Sequence, residues 1–513
     1  MANGHTRIKT IGDDAETIAT GRGGARRRLH TLVRRALLAG ASAAALVAAG
    51  ASVPAHAQQG PGSLDVLFGV GTADGTPDGV VSTSLGKGND TAAAIARTGD
   101  GKLIVVGNRD AGGSKNIVVL RYEADGALDA AFGADGGADG TPDGVVDVSL
   151  GDGDDVATAV AVQPDGKVIV AGYHAEGASS NIFLLRLDAD GRLDAGFGKA
   201  EDGTPDGIVN VSLGDGDDVA RGVAVAADGT IVVVGDSVRG DSSNIVVARF
   251  AADGTPDASF GADGGTDGTP DGFVSIDLGA GDDRANGVAL AADGGILVAG
   301  SHVADGSANI VVARLTASGA LDAGFGTAQD GTPDGVVGVS LGDGDDTASA
   351  IGIASDGKIV VAGTSVAKDG SSNFVVARLN ADGTPDAGFG ADGGADGTPD
   401  GFVASSLGDG DDVATALALE AGGAILVGGY RQDGDSTSMA VARYTATGAL
   451  DAAFGADGGA DGTADGVVNV SLGDGDDKAS GMVLDGDRLV VLAGSTVAAD
   501  GSSNIALVRL TLD

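Results

Sequence analysis

The residues with the clearest chemical potential are aspartates that recur in one short loop of each repeated segment. Around Asp152–Asp155, three carboxylates flank one glycine. Closely spaced carboxylates and accessible backbone carbonyls are the hard oxygen ligands that Ca²⁺ prefers. Two carboxylates about 5 Å apart repel by roughly 3 kcal/mol at an effective dielectric of 20, a cost that a bound cation removes. The predicted metal ligands are Asp152, Asp154, Asp155, Asp215, Asp217, Asp218, Asp343, Asp345, Asp346, Asp409, Asp411, Asp412, Asp474, Asp476 and Asp477.

A second interpretation of these loops stays open. Asp and Gly are favoured turn residues, and the Asp charges help to keep a protein in solution. The loops match neither the D-x-D-x-D-G-x5-E calcium loop nor the GGxGxD repeat. Two units also depart from the pattern, with Lys87–Asp90 and Ala280–Asp283 at this place. No cofactor is predicted with certainty, and Ca²⁺ is the only one that the residues suggest.

The sequence offers little for other catalytic chemistry. It contains no Cys, and only His174 and His302 lie beyond residue 57. Both lie two residues after a Val-Ala-Gly run, where we expect exposed loops, so a zinc site or a Ser-His-Asp arrangement has little support. The lack of Trp and the presence of only four Tyr weaken stacking on carbohydrate. We predict no catalytic residue.

These loops belong to a repeat exemplified by residues Ala157–Leu213. It contains four apolar runs, each bounded by Asp-Gly or glycine-rich turns: Thr158–Val162, Lys167–Ala171, Asn181–Leu187 and Gly207–Ser212. Runs of this length that are rich in Val, Ile and Leu are typical of strands. A four-stranded antiparallel sheet has two apolar faces, so copies must pack face to face to bury them.

Three markers each occur seven times, which sets the number of units. They are the Phe of a Leu/Pro-Asp-x-x-Phe-Gly motif, a strand resembling IVVAG, and a strand resembling NIVVARL. The repeat region opens on a fourth-type strand, Gly79–Leu85, and closes on a third-type strand, Asn504–Leu510. The first strand therefore supplies what the last unit lacks. The strand types at the two ends therefore predict an all-β, seven-bladed β-propeller of four-stranded antiparallel blades. We expect the N-terminal strand to close the ring by pairing into the last blade, and the Ala-rich strand to be innermost.

The repeated motifs resemble a known family. The run ADGxLDxxFG, followed by Ala-x-Ala, PDGKVIVAG and NIFLLRLDADG, is similar to the bacterial delta-60 repeat over nearly all of residues 61–513. The resemblance implies a β-propeller of largely unassigned function. Unit seven departs from it at the turn Asp485–Arg488 and at Ala464, which replaces Pro.

Two side chains of each repeat are expected to be structural. The motif Phe, such as Phe132, is expected to pack between neighbouring blades, and the motif Asp, such as Asp129, to cap a turn. An arginine recurs in each third strand, as at Arg186. Because a partly buried guanidinium must be paired, we expect it to bind an Asp of a neighbouring blade.

The N-terminal residues predict export. A basic region is followed by the apolar run Ala36–Val53 and by Pro54–Ala57, an Ala-x-Ala cleavage site. We therefore predict a signal peptide at residues 1–57 and a single propeller domain at 58–513. Arg34 and Arg35 fit a twin-arginine signal, and general secretion remains the other interpretation. The expected location is the periplasm, the exterior or the surface of a bacterial cell, with no integral membrane segment after signal removal.

The charge and the repeat symmetry limit the function. A formal net charge of −42 disfavours nucleic acid and anionic lipid as partners. We predict a monomeric, non-enzymatic binding or cell-surface structural module for an unknown protein or surface ligand, with Ca²⁺ as a candidate stabiliser. The alternative is a metal-dependent propeller hydrolase with Asp carboxylates at the axial mouth.

Overall fold

The protein was examined as a computed structural model. The structure describes residues 7–9, 60–69, 79–110, 112–133, 143–198, 206–214, 216–261, 272–326, 334–341, 344–390, 401–408, 410–455, 465–473, 475–498 and 500–513. Within them the regular secondary structure is entirely β-strand, arranged in seven sheets. Each sheet is one blade of a β-propeller, which confirms the fold predicted from the repeat.

The blades are numbered in chain order, and their strands are given from the first strand outward. Blades 1 and 2 contain β3 (Asp90–Arg97), β4 (Leu103–Asp110), β5 (Lys115–Tyr122) and β6 (Val145–Ser149), then β7 (Asp155–Val162), β8 (Val168–Glu176), β9 (Ser179–Leu187) and β10 (Ile208–Val211). Blades 3 and 4 contain β11 (Asp218–Val225), β12 (Ile231–Arg239), β13 (Ser242–Phe250) and β14 (Phe273–Ile276), then β15 (Asp283–Leu290), β16 (Ile296–Ala304), β17 (Ser307–Leu315) and β18 (Val336–Val339). Blades 5 and 6 contain β19 (Asp346–Ile353), β20 (Ile359–Val366), β21 (Ser372–Leu379) and β22 (Phe402–Ser405), then β23 (Asp412–Leu419), β24 (Ile425–Asp433), β25 (Ser436–Tyr444) and β26 (Val467–Val470). Blade 7 contains β27 (Asp477–Leu484), β28 (Leu489–Val497), β29 (Ser503–Thr511) and, from the start of the repeat region, β2 (Val80–Thr83).

The ring closes where the two ends of the repeat region meet. Strand β2 pairs antiparallel with β29, with Val80 opposite Val508 and Thr83 opposite Ile505. The first strands contact one another in an unbroken cycle from β3 through β7, β11, β15, β19, β23 and β27 back to β3. The Ala-rich strand is therefore innermost, as predicted.

The second strand of each blade is longer than the sequence predicts. In blade 2 we expected a strand ending at Ala171, but β8 continues through Gly172 to Glu176. The first strand bulges opposite this glycine, between Ala157 and Ala159. A Cβ on Gly172 would lie 1.9 Å from the carbonyl oxygen of Val156. The glycine thus permits a close backbone approach within the sheet and does not end the strand.

The apolar core consists of inter-blade layers. One cluster joins Val106 and Phe132 of blade 1 to Val170 and Leu185 of blade 2, all essentially without solvent exposure. Equivalent clusters lie between the other neighbouring blades. Each blade therefore buries both faces of its sheet against its neighbours.

One strand lies within the predicted signal peptide. Strand β1 (Arg7–Lys9) pairs antiparallel with β6 at the outer edge of blade 1. The signal peptide itself stays a prediction. Among the residues that the structure describes, no helix has the length and apolarity needed to cross a membrane.

Candidate functional site

The upper face, defined as the face carrying the acidic loops, contains a ring of buried carboxylates. One Asp begins the first strand of every blade, with at most 3 % exposure: Asp90, Asp155, Asp218, Asp283, Asp346, Asp412 and Asp477. Its Oδ2 accepts a hydrogen bond from the backbone N–H of the Leu five residues earlier, at 2.7 Å for Asp155 and Leu150. The same bond occurs in all seven blades. This carboxylate therefore folds the acidic loop back onto its own blade.

The residue opposite each ring carboxylate differs between blades. In the register of the first two strands, the facing residues in blades 1 to 7 are Arg109, His174, Ser237, His302, Ser365, Arg431 and Thr496. Four blades thus supply a nitrogen base or cation, and three supply a hydroxyl. The strand register is the same throughout, so only the side chain changes.

His174 and His302 each face a ring carboxylate, which corrects the prediction that they lie in exposed loops. They are on β8 and β16, with side-chain exposures of 14 % for His174 and 21 % for His302. Each Nδ1 lies 2.5 Å from Oδ1 of its ring carboxylate, Asp155 or Asp283. The hydrogen bond to Asp155 raises the pKa of His174, although burial opposes the shift.

Arginines face two other ring carboxylates. Burial raises the pKa of Asp90 and of Asp412, even though the backbone hydrogen bonds and the facing Arg109 and Arg431 act in the opposite direction. The guanidinium of Arg431 fills the space beside its loop, since a Cβ on Gly408 would lie 2.3 Å from Nη2. These carboxylates are held in a low-dielectric setting, where an unpaired negative charge is costly.

The ring carboxylates of the three hydroxyl blades face no basic side chain. Oδ1 of Asp218, Asp346 and Asp477 is buried and makes no hydrogen bond, and the same is true of Oδ1 of Asp412 opposite Arg431. In blade 3 the facing Ser237, which has 0 % exposure, also has an unpaired buried hydroxyl oxygen. A buried polar group without a partner costs about 1–3 kcal/mol, more if it is charged.

The preceding loop residue joins neighbouring blades. Oδ1 of Asp217 accepts bonds from the backbone N–H and the hydroxyl of Ser180 in blade 2, at 2.8 and 3.0 Å. Asn89 does the same for Ser503 across the closing seam, at 3.1 Å from the backbone nitrogen. The equivalent bond occurs between every neighbouring pair of blades. Asp154, Asp217, Asp345, Asp411 and Asp476 therefore link blades, whether or not they also bind a metal.

The structure describes only some of the predicted metal ligands. Asp152 is exposed, whereas Asp215, Asp343, Asp409 and Asp474 lie outside the described residues. In the part of the chain that the structure describes, no three His, Asp or Glu residues converge as a metal site. The Ca²⁺ assignment stays a prediction.

The lower face carries a repeated joint between blades. In blade 2, Arg186 donates from Nε to Asp194 at 2.8 Å and from Nη1 to the carbonyl oxygen of Ala252 in blade 3. Its guanidinium carbon lies 4.6 Å from the centre of the buried Phe197 ring. The Asp therefore belongs to the arginine's own blade, which corrects the expected partnership with a neighbouring blade's Asp. The neighbouring blade contributes a carbonyl.

The expected roles of Phe and Asp in this joint are confirmed. Phe197 has 0 % exposure, and its ring fills the space above Gly254 of blade 3, where a Cβ would lie 2.7 Å from the ring. Oδ1 of Asp194 accepts the backbone N–H of Gly196, which caps the turn. In blade 1, burial tends to raise the pKa of the equivalent Asp129, but hydrogen bonds from Lys102, Ala131 and Arg121 lower it to about 2.

The lower face also carries a cavity. It has a volume of about 700 Å³ and spans blades 1 to 3, with Arg97, Lys102, Gln163 and Asp165 in its lining. A hydrogen bond from Lys102 to Asp129, supported by Glu123, raises the pKa of the lysine. Arg97 is held at 2.8 Å by Asp485 of blade 7, in the altered turn of unit seven. The sequence did not single out this groove, because its residues are distant in the chain.

Comparison with known proteins gives the same architecture. Six segments match the model of a domain of unknown function (DUF5122) beta-propeller, at residues 98–132, 163–197, 226–260, 291–325, 354–389 and 423–454. Each matched segment runs from the turn after the first strand to the Phe of the lower joint. The match supports a propeller protein and leaves the likeness to the delta-60 repeat as a resemblance. No curated protein matches the sequence.

Solved structures resemble the chain only distantly. A protein of unknown function from Dyadobacter fermentans DSM 18053 is 9 % identical, with a TM-score of 0.36, 83 % of this chain covered and 96 % of that one. The polysaccharide lyase Uly1 is 12 % identical, with a TM-score of 0.42 and coverages of 82 % and 90 %. Chaetomium thermophilum Sqt1 bound to the N-terminus of ribosomal protein L10 is 11 % identical, with a TM-score of 0.40 and coverages of 83 % and 98 %. Similarity at this level carries no argument about a ligand.

Proposed function

We propose that the protein is an exported, non-enzymatic propeller that acts as a binding or surface structural module, with Ca²⁺ bound at its upper face. The structural use of the loop carboxylates is the observation that supports this proposal. In every blade the ring carboxylate holds a backbone N–H of its own loop, and the preceding Asp or Asn holds a backbone N–H of the neighbouring blade. A catalytic carboxylate needs a geometry directed at a substrate, whereas these oxygens are directed at the scaffold.

The groove on the lower face is the best surface for a ligand. Its lining differs from blade to blade, since Pro164 and the buried Gln163 occur in blade 2 only, where blade 3 has Ala226 and Ala227. Basic side chains next to carboxylates, as at Lys102 and Asp165, suit a polar ligand that carries both hydrogen-bond donors and acceptors. Although the protein has a formal net charge of −42, positive and negative side chains lie side by side in this groove.

The first experiment separates the module from the hydrolase alternative. Purified protein is incubated with ester, phosphoester and glycoside substrates, with and without Ca²⁺. We expect no turnover in either condition. Metal-dependent turnover that disappears when Asp152 is changed to Asn would contradict the proposal and favour catalysis at the axial mouth.

A second experiment tests the groove directly. The wild type and a Gln163→Leu variant are compared in sedimentation with isolated cell envelopes and on an array of polar polysaccharides. We expect binding to fall at least tenfold in the variant, while Gln432→Leu on the upper face of blade 6 binds as the wild type does. Equal binding by both variants would exclude the groove as the ligand surface.

A further inference from the structure

The ring of buried carboxylates is completed in two different ways. Blades 2 and 4 place a histidine nitrogen 2.5 Å from Oδ1, and blades 1 and 6 place an arginine opposite it. Blades 3, 5 and 7 place a hydroxyl there, and Oδ1 of Asp218, Asp346 and Asp477 has no hydrogen-bond partner. Oδ1 of Asp412 in blade 6 also has none, but Arg431 lies opposite it and lowers its pKa by charge. Blades 3, 5 and 7 thus place no basic side chain opposite the ring carboxylate.

The side chain opposite the ring carboxylate is shorter in blades 3, 5 and 7. In blade 2 the histidine ring lies against the loop, since a Cβ on Gly151 would be 3.1 Å from Cε1 of His174. At the equivalent Gly214 of blade 3 and Gly473 of blade 7, an added Cβ meets nothing within 4 Å, and the same holds at Gly279 of blade 4. Because the strand register is unchanged, Ser or Thr at this position places a hydroxyl opposite the carboxylate where His would place a ring nitrogen.

Blade 3 has two unpaired oxygens at this position and a cavity beside neighbouring residues of the chain. The cavity, of about 400 Å³, is lined by Leu213, Gly214 and Gly216 of the acidic loop and by Val238, Arg239 and Gly240 of the hairpin, and neither Asp218 nor Ser237 is in its lining. Asp218, next in the chain after this loop, has 0 % exposure, as does the facing Ser237, and each has an unpaired oxygen. A carboxylate oxygen beside a hydroxyl oxygen is a hard donor set suited to a small cation. Arg239 lies at the exposed end of the same hairpin.

We infer that blades 3, 5 and 7 each bind a small oxygen-preferring cation between the ring carboxylate and the facing hydroxyl, in place of the His or Arg of the other blades. The inference deepens the proposed function, because it assigns a position to the cation of the upper face. Ca²⁺ and Na⁺ share this chemistry, and a neutral water molecule would not replace the missing charge. The site is internal to each blade and differs from an exposed loop site that includes Asp152.

The test converts one type of blade into the other. The number of cations bound per chain is measured by elemental mass spectrometry after dialysis against CaCl₂ or NaCl. The melting temperature in each salt is compared with that in choline chloride at equal ionic strength. We expect about three bound cations and a higher melting temperature in one of the two salts. Ser237→His should lose one cation, and Thr496→His should do the same in blade 7. His174→Ser should gain one.

The outcomes are distinct. A cation count that is unchanged in Ser237→His, in Thr496→His and in His174→Ser overturns the inference, since water then fills the three positions. If Asp152→Asn loses the cations and Ser237→His keeps them, the cation belongs to the exposed loops; the inference is then overturned, and the proposed function keeps its cation at the upper face. If Ser237→His fails to fold, Thr496→His and His174→Ser still decide the matter. Ligand binding at the lower groove is measured separately and does not depend on this result.

Discussion

Both faces of the propeller carry buried charged side chains, but the residues that partner these charges vary more on the upper face than on the lower. On the lower face, an Arg, an Asp and a Phe form nearly the same joint in each blade, and six of the seven arginines described lie over their Phe ring. On the upper face, the ring carboxylate is constant, but the facing residue is Arg, His, Ser or Thr. In the lower joint, the Arg and the Asp that neutralises it belong to the same repeat. On the upper face, the residue that faces the ring carboxylate differs from blade to blade.

The difference indicates where each face can vary without loss of the fold. A change in the lower joint breaks an ion pair, a ring contact and a bond to the next blade at once. A change opposite the upper carboxylate alters one counter-charge and leaves both loop bonds intact. Substitutions on the lower face should therefore cost more stability than those on the upper face, and the following predictions are ordered on that basis.

The largest effect is expected at Arg509, where the lower joint coincides with ring closure. Its guanidinium lies 2.8 Å from Asp65, 3.2 Å from Asp485, and bonds the carbonyl of Ala124 in blade 1. Removing one partner of a buried ion pair costs about 3–5 kcal/mol, so Arg509→Ala should lower the unfolding free energy by that amount in urea titration. Arg192→Ala, which breaks an exposed pair with Asp190, should cost less than about 1 kcal/mol. Equal losses in the two variants would contradict the assignment.

The ring contact of the lower joint can be isolated with two glycines. Gly254 and Gly240 both have a positive φ, 84° and 72°, but only a Cβ on Gly254 meets the Phe197 ring, at 2.7 Å. Both alanine variants should lose about 1–2 kcal/mol through backbone strain. Gly254→Ala should lose a further 1–3 kcal/mol or so through overpacking. Thermal and urea unfolding measure the difference, and variants of equal stability would show that the Phe packing tolerates a methyl group.

A smaller effect is expected at the bond between blades on the upper face. Asp217→Ala removes the acceptor for Ser180 and should cost about 1 kcal/mol. Asp217→Asn should be nearly neutral, because Asn89 performs this role across the closing seam. If the Asn variant is as destabilised as the Ala variant, the negative charge itself is required there, which would favour a bound cation at the exposed loop.

The smallest effect is a pH dependence in blade 2. The hydrogen bond with Asp155 raises the pKa of His174 above its ordinary value of 6.5. Protonation therefore favours the folded state; this contribution is complete below about pH 6.5 and is lost as the pH rises through the folded-state pKa. Melting temperatures of the wild type and of His174→Gln, measured from pH 5 to pH 9, should differ most at the acidic end. A constant difference across this range would contradict the prediction.

The architecture could be predicted because its signals are repeated and nearly local. Seven copies of each marker give the number of blades, and the displaced strand at residues 79–85 gives the closure, later found as Val80 opposite Val508. The second strands were predicted too short because a glycine usually marks a turn. At Gly172 the reason for the glycine is the bulge of the paired strand, which lies in a different part of the repeat.

The roles of the carboxylates could be predicted only in part. The spacing of Asp154 and Asp155 shows two neighbouring charges, but not that one reaches across to Lys115 of blade 1 while the other turns inward to Leu150. The pairing of His174 with Asp155 depends on a register across the bulge, which sequence spacing does not define. Likewise, Arg97 and Asp485 are 388 positions apart and meet only because the ring closes.

The displaced strand has a consequence for how the chain reaches its folded state. Until β2 is in place, β29 presents an unpaired edge, and an unpaired edge strand is a template for association with other chains. The strand that covers this edge is synthesised well before its partner, so the long stretch of chain between them has to be brought back on itself before the final sheet is complete. The ring is thus completed by a step that joins an early strand to a late one, and conditions that delay this step should favour aggregation over ring closure.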